Sequence, residues 1–291
     1  MMHVLLGCLL ALVVPAAQDS AADKRTRDLH VNVVDSSGKP VPGLTAEDFI
    51  VREDGAQREV LKVGPSTVPM TIAILVDDSQ AAQFAIQQLR IGLQDFIAAL
   101  PESAEIALAT FGERPTSVVE YTTSRESLKR GITRIFSRQG AGAYLQDAIV
   151  EVSRGIQKRN DARPMIVAIT TEGVEFSNAR HEQALRELHK SGAMLHVLTI
   201  GPPVAPTEDE TRSRAILVAD GTRLTGGRRD QLLSEMAIPE RLKELAAELK
   251  NAQPYQVTYA RPERLVPAEM VEISTKKPGL RVFPPKRAAG R

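Results

Sequence analysis

The chain has 291 residues, of which 43% are hydrophobic and 25% charged. This is ordinary globular composition and excludes a disordered, collagen-like or fibrous protein. Lys plus Arg number 37 and Asp plus Glu 36, a net charge of +1, and Trp is absent. The charge argues against nucleic acid as a main partner, and the scarcity of aromatics argues against base or sugar stacking. The one cysteine, Cys8, excludes an internal disulfide and a thiolate zinc cluster.

Val4–Val14 is an uninterrupted apolar run followed by Pro15-Ala16-Ala17. The run is too short to span a bilayer, and small residues after it suit signal peptidase. Residues 1–17 are therefore expected to be a signal peptide, delivering the chain to the periplasm or the exterior. No later stretch approaches membrane-spanning length, so no membrane span is expected.

Residues 28–63 read as a small β module. Leu29–Val34 alternates polar and apolar residues, residues 35–40 carry turn chemistry, and Phe49–Arg52 is a second strand closed by the turn Glu53-Asp54-Gly55. Arg58–Val63 is a third strand, and Gly64-Pro65-Ser66 reads as a linker. Alone the module is too small for a stable core.

Residues 68–252 change pattern. Thr71–Val76, Glu105–Phe111, Met165–Thr170 and Met194–Ile200 are apolar strands of the kind buried within a sheet, and Ser117–Thr122 is a further strand. Helices are predicted over Ala81–Leu100, with Phe84 and Phe96 on its apolar face, and over Ser124–Phe136, Leu145–Gln157, Arg180–Ser191, Thr211–Leu224 and from Pro239 onward. Gly192 supplies a helix stop, and Gly226-Gly227 a turn into a short strand at Arg228–Leu232. The alternation predicts an α/β domain with a doubly wound, mostly parallel sheet. Residues 254–283 return to strands, at Tyr255–Tyr259, Met270–Ser274 and Leu280–Phe283. With residues 28–63 they are expected to build one β-sandwich-like module across the base of the α/β domain. Residues 284–291 read as a loose basic tail.

Ligands of open α/β sheets bind beyond the carboxyl ends of the strands. Three loops meet there, carrying Asp77 through Ala81, Ala141 through Tyr144 and Thr171 through Phe176. Asp77, Asp78, Glu172 and Glu175 form a candidate carboxylate cluster, the donor type for Mg²⁺ or Ca²⁺. Ser79 is equally suited to cap the following helix.

The same stretches resemble the von Willebrand factor type A family, and within it a secreted group of acidobacterial type. Ile72–Ser79 resembles the family's first strand leading into D-x-S-x-S. Gly142–Ile149 resembles its glycine loop and helix, and Leu224–Tyr259 the end of the domain. Residues 34–55 resemble the β module placed before it. The resemblance covers most of residues 28–283 and implies a Rossmann-like fold, an adhesion-type function and a metal-ion-dependent site. In that site Asp77 and Ser79 match, and Glu172 stands for the later Asp. Ala81 and Ala143 replace two hydroxyl ligands, so the site is degenerate by this comparison. An empty site is expected, the alternative being Mg²⁺ or Ca²⁺ held weakly by Asp77, Ser79 and Glu172. An empty cluster would be strongly acidic, would by repulsion raise at least one carboxylate pKa or leave the loops mobile, and would favour basic partners.

The function expected is non-enzymatic, metal-independent protein binding through Asp77, Asp78, Ser79, Gln80, Gly142, Tyr144, Glu172, Glu175 and Phe176, with no cofactor. The alternative is a hydrolase-like enzyme acting through Asp77, Glu172 and Glu175. The H-E-x-x-H zinc pair fails because Leu185 stands four residues after His181, and neither a P-loop nor G-x-S-x-G is present.

Overall fold

The computed structural model describes residues 26–205, 207–261 and 268–289. The expected signal peptide lies outside the described residues. Strand β1 (Thr26–Val34) leads through a turn to β2 (Phe49–Glu53) and β3 (Ala56–Arg58), and then β4 (Val60–Pro65). Next come β5 (Thr71–Val76), a 3₁₀ turn at Gln80–Ala85, α1 (Ile86–Ala99), β6 (Glu105–Thr110), β7 (Thr116–Thr122) and α2 (Arg125–Ile132). The domain continues with α3 (Leu145–Arg159), β8 (Pro164–Thr171), α4 (His181–Ser191), β9 (Met194–Ile200), α5 (Asp209–Thr225), β10 (Arg229–Leu232) and α6 (Ile238–Asn251). The chain closes with β11 (Tyr255–Ala260), β12 (Met270–Thr275), β13 (Arg281–Phe283) and β14 (Lys286–Ala288).

The central sheet has the order β10-β9-β8-β5-β6-β7. Its strands are parallel except β7, which returns antiparallel along β6. Every residue of β5 and β8 is buried, which explains why both read as continuous apolar runs. Leu93 and Phe96 of α1, Leu128 of α2 and Leu242 of α6 cover one face. Ile149 of α3, Leu188 of α4 and Leu217 of α5 cover the other. The chain leaves β5 toward β6 on one side and reaches β8 on the other, so the crevice between β5 and β8 is the topological switch point.

The remaining strands form two antiparallel sheets, β13-β1-β11-β4 and β14-β12-β2-β3, around one core of Val31, Phe49, Val51, Tyr255, Val257 and Ile273. Strands from the two ends of the chain interleave: β1 lies between β13 and β11, and β12 between β14 and β2. Tyr259 Oη donates across the sandwich to Glu53 Oε1 at 2.8 Å, and Tyr255 Oη donates to the Val41 carbonyl at 2.7 Å. The buried Glu53 carboxylate also meets Arg58 at 3.0 Å and Arg261 at 3.6 Å. Arg287 anchors the module to the base of the α/β unit by donating to the carbonyls of Asp161 and Ala162.

Four local expectations are corrected. The run expected as one strand at Arg58–Val63 breaks at Glu59, because β3 pairs with β2 while β4 crosses to β11 in the other sheet. Gly64 and Pro65, expected as linker, end β4 opposite Gln256 and Tyr255. The helix expected from Ala81 begins as a 3₁₀ turn, whose three-residue period carries Phe84 out to 54% exposure. Lys286–Ala288, expected in a loose tail, is held as a strand on β12 because its main chain completes that sheet's edge.

Candidate functional site

The site lies where β5 and β8 deliver their carboxyl ends side by side. Asp77, directly after β5, is 1% exposed. Its Oδ1 accepts from the Ser79 amide at 2.9 Å. Its Oδ2 accepts from the Thr171 amide at 2.9 Å and the Thr171 hydroxyl at 2.7 Å. Asp77 thus ties its own turn to the end of the neighbouring strand and uses both oxygens in doing so.

Asp78 points the other way. Its Oδ1 accepts from the Gly112 amide at 2.6 Å, and its Oδ2 from Arg138 Nε at 2.9 Å. Arg138 also donates its amide to the Asp78 carbonyl at 2.8 Å and Nη1 to Glu113 at 3.0 Å. A Cβ on Gly112 would stand 2.5 Å from the Asp78 backbone, so only glycine permits this approach. Gln80 joins the same turn to the glycine loop, donating its amide to the Ala141 carbonyl at 3.0 Å and accepting from the Gly140 amide at 2.9 Å.

Glu172 stands for the family's later aspartate in the resemblance, but its carboxylate does not meet Asp77. Thr171 is the residue that faces Asp77. Glu172 turns to the opposite side, where its Oε2 accepts from Arg214 Nη2 at 3.1 Å. Arg214, 7% exposed, also donates to the carbonyls of Thr171 at 3.3 Å and Gly173 at 3.1 Å. The buried guanidinium therefore matches one carboxylate and two carbonyls with its fork of donors.

Glu175 is 1% exposed and lies inside the loop rather than on it. Its Oε1 accepts from the Ser177 hydroxyl at 2.5 Å, and its Oε2 has no hydrogen-bond partner among the described residues. Burial pushes the carboxyl up to about 7; the Ser177 hydroxyl, the Arg214 charge and the Gln146 amide oppose this only in part. A raised carboxylate pKa was expected from mutual repulsion, whereas the cause is desolvation. Ser177 Oγ also accepts from the Asp147 amide at 3.1 Å, and Asp147 in return accepts from the amides of Asn178 and Ala179. These bonds fasten the β8–α4 loop to the first turn of α3, whose own N-cap residue, Tyr144, supplies no side-chain bond.

Phe176 remains half-exposed at 50% and meets Tyr144 edge-to-face, with ring centroids 6.2 Å apart. Gly142 is the seat for that ring, since a Cβ there would overlap it. Backbone bonds from the Ala143 amide to the Val174 carbonyl and from the Phe176 amide to the Ala143 carbonyl hold the two loops together.

The four carboxylates therefore do not form one acidic pocket. Asp78 is paired with Arg138, Glu172 with Arg214, Asp77 is consumed by main-chain and hydroxyl donors, and Glu175 is enclosed. Among the described residues, no group of three or more His, Cys, Asp or Glu side chains is disposed to hold a metal ion. A hard cation takes six or more oxygens. The family's metal does not fit what is present: Asp77 has both oxygens engaged, Ala81 packs its methyl toward Gly173, and Ala143 is buried. Ser79 Oγ is buried without a hydrogen-bond partner among the described residues. Arg138, Arg214 and Ser177 were missed by sequence reasoning, and Thr171 was placed in the third loop without a role. Thr171 had a local signal, its place beside Glu172 at a strand end; the other three had none.

Residues 72–174 match the family model described as von Willebrand factor type A domain. Comparison with curated proteins finds no match. Among solved structures, the chain is similar to a von Willebrand factor type A protein from Catenulispora acidiphila, at 13% identity and a TM-score of 0.53, covering 86% of this chain and 76% of that one. It is also similar to proximal thread matrix protein 1 of the mussel byssus, at 13% identity and a TM-score of 0.53, covering 68% of this chain and 50% of that one. Residues 72–174, from β5 into the loop after β8, are thus similar to a von Willebrand factor type A domain, and the likeness to solved structures is one of fold.

Proposed function

We propose that the chain is a non-enzymatic protein-binding module, acting outside the cytoplasm, that engages its partner through the loops at the carboxyl ends of the central sheet without a metal ion. One observation carries this reading. Nine large apolar side chains are exposed among the described residues, and seven flank the carboxyl ends of the strands: Phe84, Phe136, Val174, Phe176, Val204, Leu233 and Met236. Only Leu61 and Ile91 lie elsewhere. Apolar side chains concentrated on one face mark interaction surfaces. A cavity of about 310 Å³ beside Arg214, lined by Val174, Val218 and Gln231, adds a recess to that face.

Of the residues expected to touch a partner, Gln80, Tyr144, Glu172 and Phe176 keep some exposure, whereas Asp77, Asp78, Ser79, Gly142 and Glu175 are buried and act as its scaffold. The enzymatic alternative loses its support, since Asp77, Glu172 and Glu175 each engage different partners. With the charges paired, the surface favours an apolar contact over the basic partner expected from an acidic pocket. The reading of an exported protein rests on the apolar run Val4–Val14, and no helix among the described residues is long and apolar enough to cross a membrane.

Site-specific photo-crosslinking in the native host tests the reading. A crosslinker at Phe176 is expected to capture a defined partner, unchanged by EDTA, while one at Ile91 captures none. Equal capture from both positions, or capture lost in EDTA, sinks it.

A further inference from the structure

The recess of about 310 Å³ beside Arg214 lies over the carboxyl ends of β8, β9 and β10. There Thr170, Thr199 and Gln231 stand side by side in register, one from each strand. Side chains alternate along a strand, so their neighbours fix which way they point. Ile166 and Ala168 of β8, with Leu195 and Val197 of β9, pack in the layer under α3, α4 and α5. Leu198, Ile200 and Leu232 pack in the opposite layer. Thr170, Thr199 and Gln231 therefore face α5, as does Arg229, two residues before Gln231 and diagonal to Thr199. All four line the recess.

Two of these groups lack partners. Thr199 is 7% exposed, and its hydroxyl makes no hydrogen bond among the described residues. Unlike the hydroxyls of Ser79 and Ser153, its oxygen is not sealed from solvent, and the recess is the space above it. Arg229 is exposed, and its guanidinium makes no ion pair or hydrogen bond among the described residues. Arg228, by contrast, is neutralised by Asp230 and Glu248.

The other polar groups of the floor are engaged. Arg214 is held by Glu172 and two carbonyls. Gln231 Nε2 donates to the Gly201 carbonyl at 2.6 Å and to Glu172 Oε1 at 3.4 Å. Val174, Ala215 and Val218 supply apolar walls, and the exposed Glu208 carboxylate also lines the recess.

These features select a ligand. A guanidinium fork fits the two oxygens of a carboxylate, and a neighbouring hydroxyl can donate to one of them. One unpaired cation balances one negative charge, and the Glu172 and Glu208 carboxylates disfavour a dianion such as a phosphate monoester. The apolar walls suit an apolar body on the acid. We propose that the recess binds a carboxylate carried on a short apolar body, with Arg229 pairing with the carboxylate and Thr199 donating its hydroxyl to it. The acid is either a free small molecule or the C-terminal residue of a partner chain. The proposal rests on the reading of this face as the binding surface and adds the chemistry that the face takes.

Calorimetric titration of the full chain tests it with 4-methylpentanoate, 4-methylpentanamide, and N-acetyl-Gly-Gly-Leu as free acid and as C-terminal amide. Saturable binding is expected for an acid, with binding of the matching amide weaker by about tenfold or more. Tighter binding of 4-methylpentanoate identifies a free acid as the source, and tighter binding of the peptide acid a chain terminus. Arg229→Gln is expected to abolish the preference for acid over amide. Thr199→Val keeps the side chain's shape and is expected to weaken the acid roughly 3- to 10-fold. Ala215→Phe fills the recess and is expected to block every probe. Circular dichroism and Tm establish that each variant folds; should Thr199→Val or Ala215→Phe not fold, Arg229→Gln, at an exposed position, decides. The proposal is overturned if neither acid saturates, if acid and amide bind alike, or if Arg229→Gln keeps the preference. These probes need no native partner, so their failure leaves capture at Phe176 standing, and failed capture with intact probe binding strikes the protein-binding reading alone.

Discussion

Asp77 Oδ2 accepts both the amide and the hydroxyl of Thr171, at 2.9 and 2.7 Å, across the crevice between two neighbouring parallel strands. The bond pair closes the switch point of the sheet from within. It places a neutral hydroxyl beside the Asp77 carboxylate, where a second carboxylate would repel it.

Removing either end of this tie is expected to cost stability. Asp77→Ala strands three donors in a buried setting and should lower the unfolding free energy by about 3 kcal/mol or more. Thr171→Val keeps the shape, loses one hydroxyl bond, and should cost about 1–2 kcal/mol. Urea unfolding of the full chain measures both, and near-wild-type midpoints would show that the tie is incidental.

Divalent ions should not stabilise the protein. Calorimetric titration with Mg²⁺, Mn²⁺ and Ca²⁺ is expected to give no saturable heat, and Tm should not move, since only an ion that binds the folded state can raise it. Saturable binding that vanishes in Asp77→Ala would mean that Asp77 and Ser79 still ligate.

Glu175 makes stability depend on pH. Its carboxyl is pushed up to about 7 in the folded chain from an ordinary 4.5. Between those values the folded state holds a proton that the unfolded chain has released, so stability falls as pH rises, and the loss is complete above about 7. Glu175→Gln retains an acceptor for Ser177 but cannot ionise. Its stability relative to the unaltered chain should rise from about pH 5 to about pH 8, by on the order of 3 kcal/mol. A difference that is flat across this range would show that the carboxyl is not desolvated in solution.

Gly142 and Phe176 should be energetically coupled. Gly142→Ala pushes against the Phe176 ring and is expected to displace it from Tyr144, weakening partner capture. Combining Gly142→Ala with Phe176→Ala should cost less than the two singles added together, because the overlap is gone. Strict additivity in a thermal-unfolding cycle would refute the seat.

The fold was largely legible in the sequence because its signals are local. Thr71–Val76 and Met165–Thr170 announce buried strands by unbroken apolarity, and Leu89, Leu93 and Phe96 announce a helix face by spacing. Gly192 and Gly226 mark helix ends because each adopts a positive φ, at 67° and 77°. The same locality made Asp77, Gln80, Gly142 and Phe176 visible as neighbours in space, since each lies just beyond a strand or in the glycine loop. What the tertiary structure alone decided is which atoms meet. Whether Thr171 or Glu172 faces Asp77 depends on how the end of β8 sits beside β5. The acidic cluster dissolved because Arg138 and Arg214 arrive from segments remote in sequence, and no periodicity encodes a distant ion pair. The break of Arg58–Val63 between two sheets, the strand formed by Lys286–Ala288 and the row of Thr170, Thr199 and Gln231 likewise follow from pairing and packing at long range. Residues within a turn of one another constrain each other through sterics and periodicity; residues far apart do so only once the chain has closed around them.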